Sequence, residues 1–298
     1  MVSLKRKKPS HQSKKSYILD ENSKFYIKEA YRAARANINF SLANVEGCKI
    51  IAVTSSVAGD GKTTTSVNLA QVISQADNRV LLIDADMRKG SARRHLGLQK
   101  SNGLSSVLSG MSQVVDEVII KTTHGFDCMT AGPTPPNPAE LLASHVMAEL
   151  LNLLSEHYDY IIIDTPPVSV VSDALALSKL VSGFVLAISQ DESTIDEIQN
   201  AIGSLEFSEA KILGFIFNKA DVGSESRYNR YGRYSKYNRY SRYGRYSRYN
   251  YGKYGYGKNG YGGYGYGGYG YGGYGYGYGY GYGYGKEEPE QKNDTPEN

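Results

Sequence analysis

Cysteine is scarce: only Cys48 and Cys128 occur in 298 residues. Two thiols so far apart make neither a disulfide framework nor a metal cluster, and such scarcity fits a reduced, cytosolic compartment. No apolar run approaches the ~20 residues of a membrane-spanning helix. The basic start, Lys5-Arg6-Lys7-Lys8 through Lys14-Lys15, leads into no apolar stretch of the secretory type. It reads as a solvated arm, or as a strip drawn to an anionic inner leaflet by ~1 kcal/mol per charge. Acids are absent from residues 227–258, which hold ten Lys and Arg, so the formal net charge of +4 conceals a remainder of −6. Aliphatic residues are absent too: from Arg227 to Gly285 the chain is almost wholly Tyr, Gly, Arg, Lys, Ser and Asn.

Residues 17–221 are rich in Val, Ile, Leu and Ala, and strand-like runs alternate with helix-like ones. That alternation predicts an α/β fold, a doubly wound, mostly parallel sheet covered on both faces. A first helix is expected over 24–43, from Phe25, Ile27, Ala30, Ala33, Ala34, Ile38 and Leu42. Its polar side holds Glu29, Arg32 and Arg35, which fit either an exposed face with an intrahelical ion pair or a subunit contact.

The organising stretch is Ser55–Thr64. An apolar strand, Ile50–Thr54, leads into it, and helical spacing of Val67, Leu69, Ala70 and Ile73 follows. Strand, glycine-rich loop and helix is the setting of a phosphate-binding loop. Backbone N–H groups over Ala58, Gly59, Asp60 and Gly61, with the helix start at Lys62, Thr63 and Thr64, would cradle an anion. Lys62 would reach the terminal phosphates, and the Thr63 hydroxyl would ligate Mg²⁺. Ser56 replaces the first glycine of the usual G-x-x-x-x-G-K-[ST] pattern, so the loop is deviant.

The buried-strand run from Arg79 ends in Asp84-Ala85-Asp86-Met87-Arg88. Ligands of open α/β sheets sit beyond the carboxyl ends of the strands, which turns Asp84 and Asp86 toward the phosphates. Residues 103–120 fit a helix or a mixed segment. Phe126–Ala131 reads as a strand and Gly132–Pro138 as a rigid proline loop, leading into a helix over Ala139–His157. A further buried strand, Tyr160–Asp164, ends in an acid, the way P-loop enzymes supply a second Mg²⁺-side carboxylate. Two more βα-like units follow: Phe184–Ser189 with a helix around Thr194–Leu205, then Ile212–Asn218. Asn218 and Lys219 close the last strand, where a base-binding group would sit.

Tyrosine recurs every third residue from Tyr228 to Tyr249, each preceded by Arg or Lys, and Tyr-Gly units run on to Tyr284. Such a tail buries too little aliphatic surface to offset its ordering entropy, which predicts disorder. The acidic end, Lys286–Asn298, reads the same way.

Several elements together resemble the bacterial tyrosine kinases (BY-kinases): the deviant loop, the Asp84–Arg88 and Ile161–Pro167 segments, Ala131–Leu142, Glu29-x-x-Arg32-x-x-Arg35 and the tyrosine-rich end. The likeness covers residues 17–221 and is closest in kind to the separate cytoplasmic kinase subunit (CpsD/CapB type) of capsule and exopolysaccharide systems. It departs at Gly90, where proline is common, and in the length of the tail. The resemblance implies an ATP- and Mg²⁺-dependent protein-tyrosine kinase. Lys62 and Thr64 would serve the phosphates; Thr63, Asp86 and, through water, Asp164 the metal; Asp84 the tyrosyl proton, with Asp84 and Asp86 both open as the base. Glu29, Arg32 and Arg35 become a ring-assembly motif, which reverses the plain reading of that helix, and an octamer is expected. The acceptors in the tail would be Tyr228, Tyr231, Tyr234, Tyr237, Tyr240, Tyr243, Tyr246, Tyr249, Tyr251, Tyr254 and Tyr256. The implied partners are a neighbouring copy, a membrane-bound activator of the polysaccharide co-polymerase type that recruits the kinase to the inner face of the membrane, and protein substrates of the polysaccharide pathway.

The expected domains are a basic arm (1–16), a kinase domain (17–221) with its oligomerisation helix (24–43), and a phospho-accepting tail (222–298). Two other readings compete. A partitioning ATPase of the ParA/MinD kind would carry a lysine where Val57 stands and would lack the tail. A nucleic-acid-binding or condensate-forming protein would work through the Arg/Tyr/Gly tail, since Arg attracts phosphate and tyrosine stacks on bases; the catalytic constellation argues against that as the main role.

Overall fold

Apolar runs without period-two alternation belong where both faces of a sheet are covered, and four such runs form the sheet centre. The computed structural model describes residues 17–112, 114–190 and 192–220. Its elements run α1 (Phe25–Ser41), β1 (Lys49–Ser55), α2 (Lys62–Ser74), β2 (Val80–Asp84), α3 (Ala92–His95), α4 (Leu104–Leu108), β3 (Ile119–Lys121), β4 (Asp127–Met129), α5 (Pro138–Leu142), α6 (His145–Ser155), β5 (Tyr160–Asp164), β6 (Gly183–Ser189), α7 (Ile195–Phe207) and β7 (Ile212–Asn218). The strand order is β3-β4-β2-β5-β1-β6-β7. Every neighbouring pair is parallel except β3 with β4 at one edge.

Successive strand residues point to opposite faces, so each central strand feeds two cores. Val80, Leu82, Ile51 and Ile162 share a core with Ile38 of α1 and with Leu69 and Ile73 of α2. Leu81, Ile83, Ile161 and Ile163 pack on the other face with Leu104, Leu142, Leu150 and Leu151 from α4, α5 and α6. On that side α7 covers β6 through Ala201 and Leu205 against Phe184 and Leu186.

Two expectations change, and the segment read as helical or mixed proves to be mixed. In α1 only Tyr31 and Ile38 are buried, with Ala34 half-buried and Leu42 just beyond the helix end. That stripe excludes Phe25, Ala30 and Ala33, and Ile27 is exposed in the first turn, so the periodicity overstated the apolar face. The helix expected over 139–157 is two helices. Ser144 breaks it by adopting an extended conformation and capping α6, its hydroxyl accepting from Met147 N at 3.4 Å; serine competes with the helical backbone in this way. Residues 103–120 hold α4, a 3₁₀ turn (Val115–Val118) and β3.

The loop after β4 is stitched to the start of α4. Leu104 N donates to Thr130 O (2.8 Å), Ser105 N to Ala131 O (3.0 Å) and the Ser105 hydroxyl to Pro133 O (2.6 Å). Gly103 permits the approach, because a Cβ there would lie 2.1 Å from Thr130 O and 2.6 Å from Gly132 N. Gly103→Ala should therefore destabilise the fold by about 1–3 kcal/mol through overpacking. Gly203→Ala, in α7 with nothing near its Cβ position, should stabilise it by ~0.5–1 kcal/mol. Thermal melting of the two variants checks both; equal and small shifts would show that the contact at Gly103 is not tight.

Candidate active site

The deviant loop replaces a missing glycine with a hydrogen-bond network. The Ser56 hydroxyl donates to Asp60 Oδ2 (3.0 Å) and lies 2.9 Å from Ser193 Oγ, which donates to Asp60 Oδ1 (2.5 Å). Val57 N donates to the same carboxylate at 3.0 Å. Asp60 is fully buried, so its side chain shapes the loop, and only its backbone is available to a phosphate. Ala58 and Gly59 form the exposed crest. Gly61 adopts φ 86°, and a Cβ there would sit 2.8 Å from Asn218 Nδ2. That amide donates to Asp60 O (2.8 Å) and lies 3.0 Å from Thr65 Oγ1. Asn218 thus clamps the loop from β7. No side chain caps the start of α2, which leaves its first N–H groups for an anion.

Beneath the loop, β2 and β5 pair in register, so Asp84 stands directly beside Asp164. Both are fully buried, and Asp86 is nearly so. One cation answers three acids: Lys62 Nζ donates to Asp86 Oδ2 at 2.8 Å. The Thr63 hydroxyl donates to Asp164 Oδ2 (2.6 Å) and lies 2.7 Å from Ser91 Oγ, while Ser66 Oγ lies 3.0 Å from Asp164 Oδ1. Asp84 accepts from Asp86 N (3.2 Å) and Ala92 N (3.0 Å).

Burial, followed by the neighbouring Asp164 charge, pushes the Asp84 carboxyl up to about 8. Burial raises Asp164 as well, against the pull of Lys62 and of the Thr63 and Ser66 hydroxyls. Burial alone would lower the Lys62 ammonium, but Asp164, Asp86 and Asp84 together hold it above its ordinary value.

Surplus buried negative charge and a hard hydroxyl oxygen are what a hydrated Mg²⁺ bound to phosphates would meet. Among the described residues no three His, Cys, Asp or Glu side chains converge on one point.

Other members of the site gave no motif. Ser91, Ser66 and Ser193 are small polar residues common in any chain. Arg88, the last of the D-x-D-x-R run, forms a two-pronged pair with fully buried Asp173 (Nε to Oδ2 2.9 Å, Nη2 to Oδ1 2.8 Å). The pair ties the segment after β2 to the one after β5, and nothing in the sequence singles out Asp173. Thr64 Oγ1 lies 3.4 Å from His95 Nε2. Lys219 pairs with Glu192 (2.7 Å) beside Gly59. Glu29 and Arg32 pair with each other at 2.5 Å, and Arg35 Nη1 donates to Val72 O at 2.6 Å. Val72 is ten residues into α2, about 15 Å along the helix from Lys62. The tail tyrosines lie outside the described residues.

The carboxyl shifts fix a pH dependence. A carboxyl raised in the fold contributes stability that is complete below its unfolded pKa of ~3.9 and is lost as pH rises through the folded value. Asp84 and Asp164 are both raised. Without nucleotide or metal, thermal stability should fall between about pH 5 and 8 through this pair, and Asp84→Asn should flatten the fall. A variant slope as steep as that of the parent would show that Asp84 is already ionised there.

The AAA domain family matches residues 48–193. Tyrosine-protein kinase YwqD of Bacillus subtilis is 39% identical over 200 residues, 67% of this chain and 84% of that protein. The solved kinase domain of Escherichia coli tyrosine kinase ETK superposes with a TM-score of 0.61 at 34% identity, covering 66% of this chain and 79% of that one. The septum site-determining protein MinD of Pyrococcus horikoshii, solved with Mg-ADP, gives a TM-score of 0.51 at 23% identity over 59% of this chain and 72% of its own, a likeness of fold alone. The kinases share both the sequence and the frame that holds the loop and the acids. The chain belongs to the bacterial tyrosine kinase family and is an ATP-dependent protein-tyrosine kinase.

Proposed function

We propose that the chain moves the γ-phosphoryl group of ATP to tyrosines of its own tail, in trans, and that residues 1–16, 17–221 and 222–298 are its arm, catalytic and acceptor parts. The observation that carries this reading is the Lys62–Asp84–Asp86–Asp164 cluster directly under the phosphate loop, in a chain whose continuation is a tyrosine repeat. The loop from Ala58 to Thr64 holds the phosphates, and Lys62 neutralises charge on the transferred group. Thr63, Asp86 and, through water, Asp164 would hold Mg²⁺, which supplies neutralisation of the developing phosphate charge when bound. Phosphoryl transfer asks for positioning and charge more than for covalent chemistry.

Asp84 takes the tyrosyl proton. A phenol of pKa ~10 is protonated at neutral pH, and Asp84, raised to about 8 by burial and Asp164 in the nucleotide-free site, accepts that proton as a carboxylate once the charge of a metal-bound nucleotide has displaced its own. The O–H bond breaks toward Asp84, the phenolic oxygen bonds to the γ-phosphorus, and ADP departs with the electrons of the broken P–O bond. Asn218 and the Glu192–Lys219 pair border the place a base would occupy.

The chain assembles as a ring, octameric by resemblance, through Glu29, Arg32 and Arg35, so that each tail enters a neighbour's site. A membrane-bound activator of the co-polymerase type recruits and stimulates it, and its other substrates are proteins of polysaccharide synthesis and export. No helix of the described residues is long and apolar enough to cross a membrane.

Lys62→Met should abolish phosphotyrosine on the tail while leaving the melting temperature within a few degrees. Mass spectrometry after incubation with ATP and Mg²⁺ reads it. Normal tail labelling by a folded Lys62→Met protein would sink the assignment, and ATP hydrolysis without phosphotyrosine in the parent would favour the partitioning-ATPase reading. Arg32→Ala with Arg35→Ala should give smaller particles by light scattering and weak tail labelling. A double variant that stays assembled would contradict the ring contact.

A further inference from the structure

A positive loop follows the second acid of the site. Residues 88–100 carry Arg88, Lys89, Arg93, Arg94, His95 and Lys100 and no Asp or Glu. Arg88 is committed to Asp173, and Arg93 donates to Leu98 O at 3.4 Å. Lys89, Arg94 and Lys100 are exposed. None of them enters an ion pair among the described residues. Ser91 and His95 of the same segment touch Thr63 and Thr64, which brings the stretch that carries Lys89 and Arg94 to the rim of the phosphoryl-transfer site, with Lys100 following in the chain.

This rim distinguishes between parts of the tail. Residues 227–258 carry ten Lys and Arg and no acid, so the rim repels them. Residues 259–285 are uncharged, made only of Tyr, Gly and one Asn. Residues 286–298 hold Glu287, Glu288, Glu290, Asp294 and Glu297 against Lys286 and Lys292. Only this last segment is complementary to the loop.

We infer that Lys89, Arg94 and Lys100 form a docking surface for the acidic end, residues 286–298, of a neighbouring copy's tail. The inference rests on the trans phosphorylation proposed above and deepens it. Anchoring the acidic end at the rim delivers the uncharged Tyr-Gly stretch just before it to Asp84 and Lys62. Tyrosines nearest the acidic end, such as Tyr284 and Tyr282, are then labelled before Tyr228–Tyr249. Single exposed ion pairs are weak and screened, so the contact needs several charges and fades with salt.

A charge swap tests it. The substrate is a tagged full-length Lys62→Met chain, and the readout is phosphotyrosine on the tagged chain against its concentration. Glu287→Lys, Glu288→Lys and Glu290→Lys in the substrate should raise KM by about tenfold with kcat little changed. Lys89→Glu, Arg94→Glu and Lys100→Glu in the kinase should do the same, while an uncharged Tyr-Gly peptide is phosphorylated as before. Combining the two reversed partners should restore KM. An unchanged KM on either side, no restoration in the combined pair, or first labelling at Tyr228–Tyr249 would overturn the inference. If the parent labels no tyrosine at all, the kinase reading fails separately. Fluorescence anisotropy then decides docking, with a labelled peptide of residues 286–298 and a full chain carrying the three tail reversals. Binding that weakens with salt and vanishes in the loop-reversed chain supports docking; no binding overturns it.

Discussion

Everything at the site depends on the parallel register that sets Asp84 beside Asp164 with a single ammonium, Lys62, between the acids and the loop. Two carboxylates on adjacent strands, both out of water, repel each other, and burial costs each of them more. The sheet tolerates this because its centre is buried on both faces by two large cores that do not involve the acids. Apolar packing on β2 and β5 therefore holds in place a charge arrangement that is unfavourable by itself. Function is the reason to keep it: the missing positive charge is what a metal and a developing phosphoryl transition state bring.

The surrounding contacts keep that arrangement from relaxing. Ser56, Asp60 and Ser193 hold the loop in one shape through side-chain hydrogen bonds, and Asn218 clamps it from the last strand. Arg88 and Asp173 tie together the two segments that leave the acid strands. Gly103 lets the start of α4 lie against the backbone of the loop after β4. Each contact joins a loop at the carboxyl ends of the strands to a second element, so the site is braced from several directions.

Much of this was legible in the residues, for identifiable reasons. The strands β1, β2, β5 and β6 showed as apolar runs because double-sided burial leaves no alternation to confuse with a helix. Lys62, Thr63, Asp84, Asp86 and Asp164 were found because chemistry ties them to strand ends and a glycine loop, and the structure brings them together. What the sequence hid was tertiary. Ser193 and Asp173 reach the site from distant segments, with no local spacing to mark them. The break at Ser144 depends on a side-chain hydroxyl capping its own helix. In α1, apolar periodicity could not tell which residues meet α2, so Phe25 and Ala33 were assigned to a covered face that stops short of them. Charge distribution was visible in the sequence but acquired meaning only from the fold, which places an acid-free loop beside the transferred group.

The nucleotide-free site holds excess buried acid, with Asp84 raised to about 8 by burial and by Asp164, that a metal-bound nucleotide neutralises. Calorimetric titration of a Mg²⁺-bound, non-hydrolysable ATP analogue into the full chain near pH 7, repeated in buffers of different ionisation enthalpy, counts the protons exchanged on binding. Net proton release is expected, and it should be lost in Asp84→Asn. Binding without proton release, or release unaffected by that substitution, would contradict it.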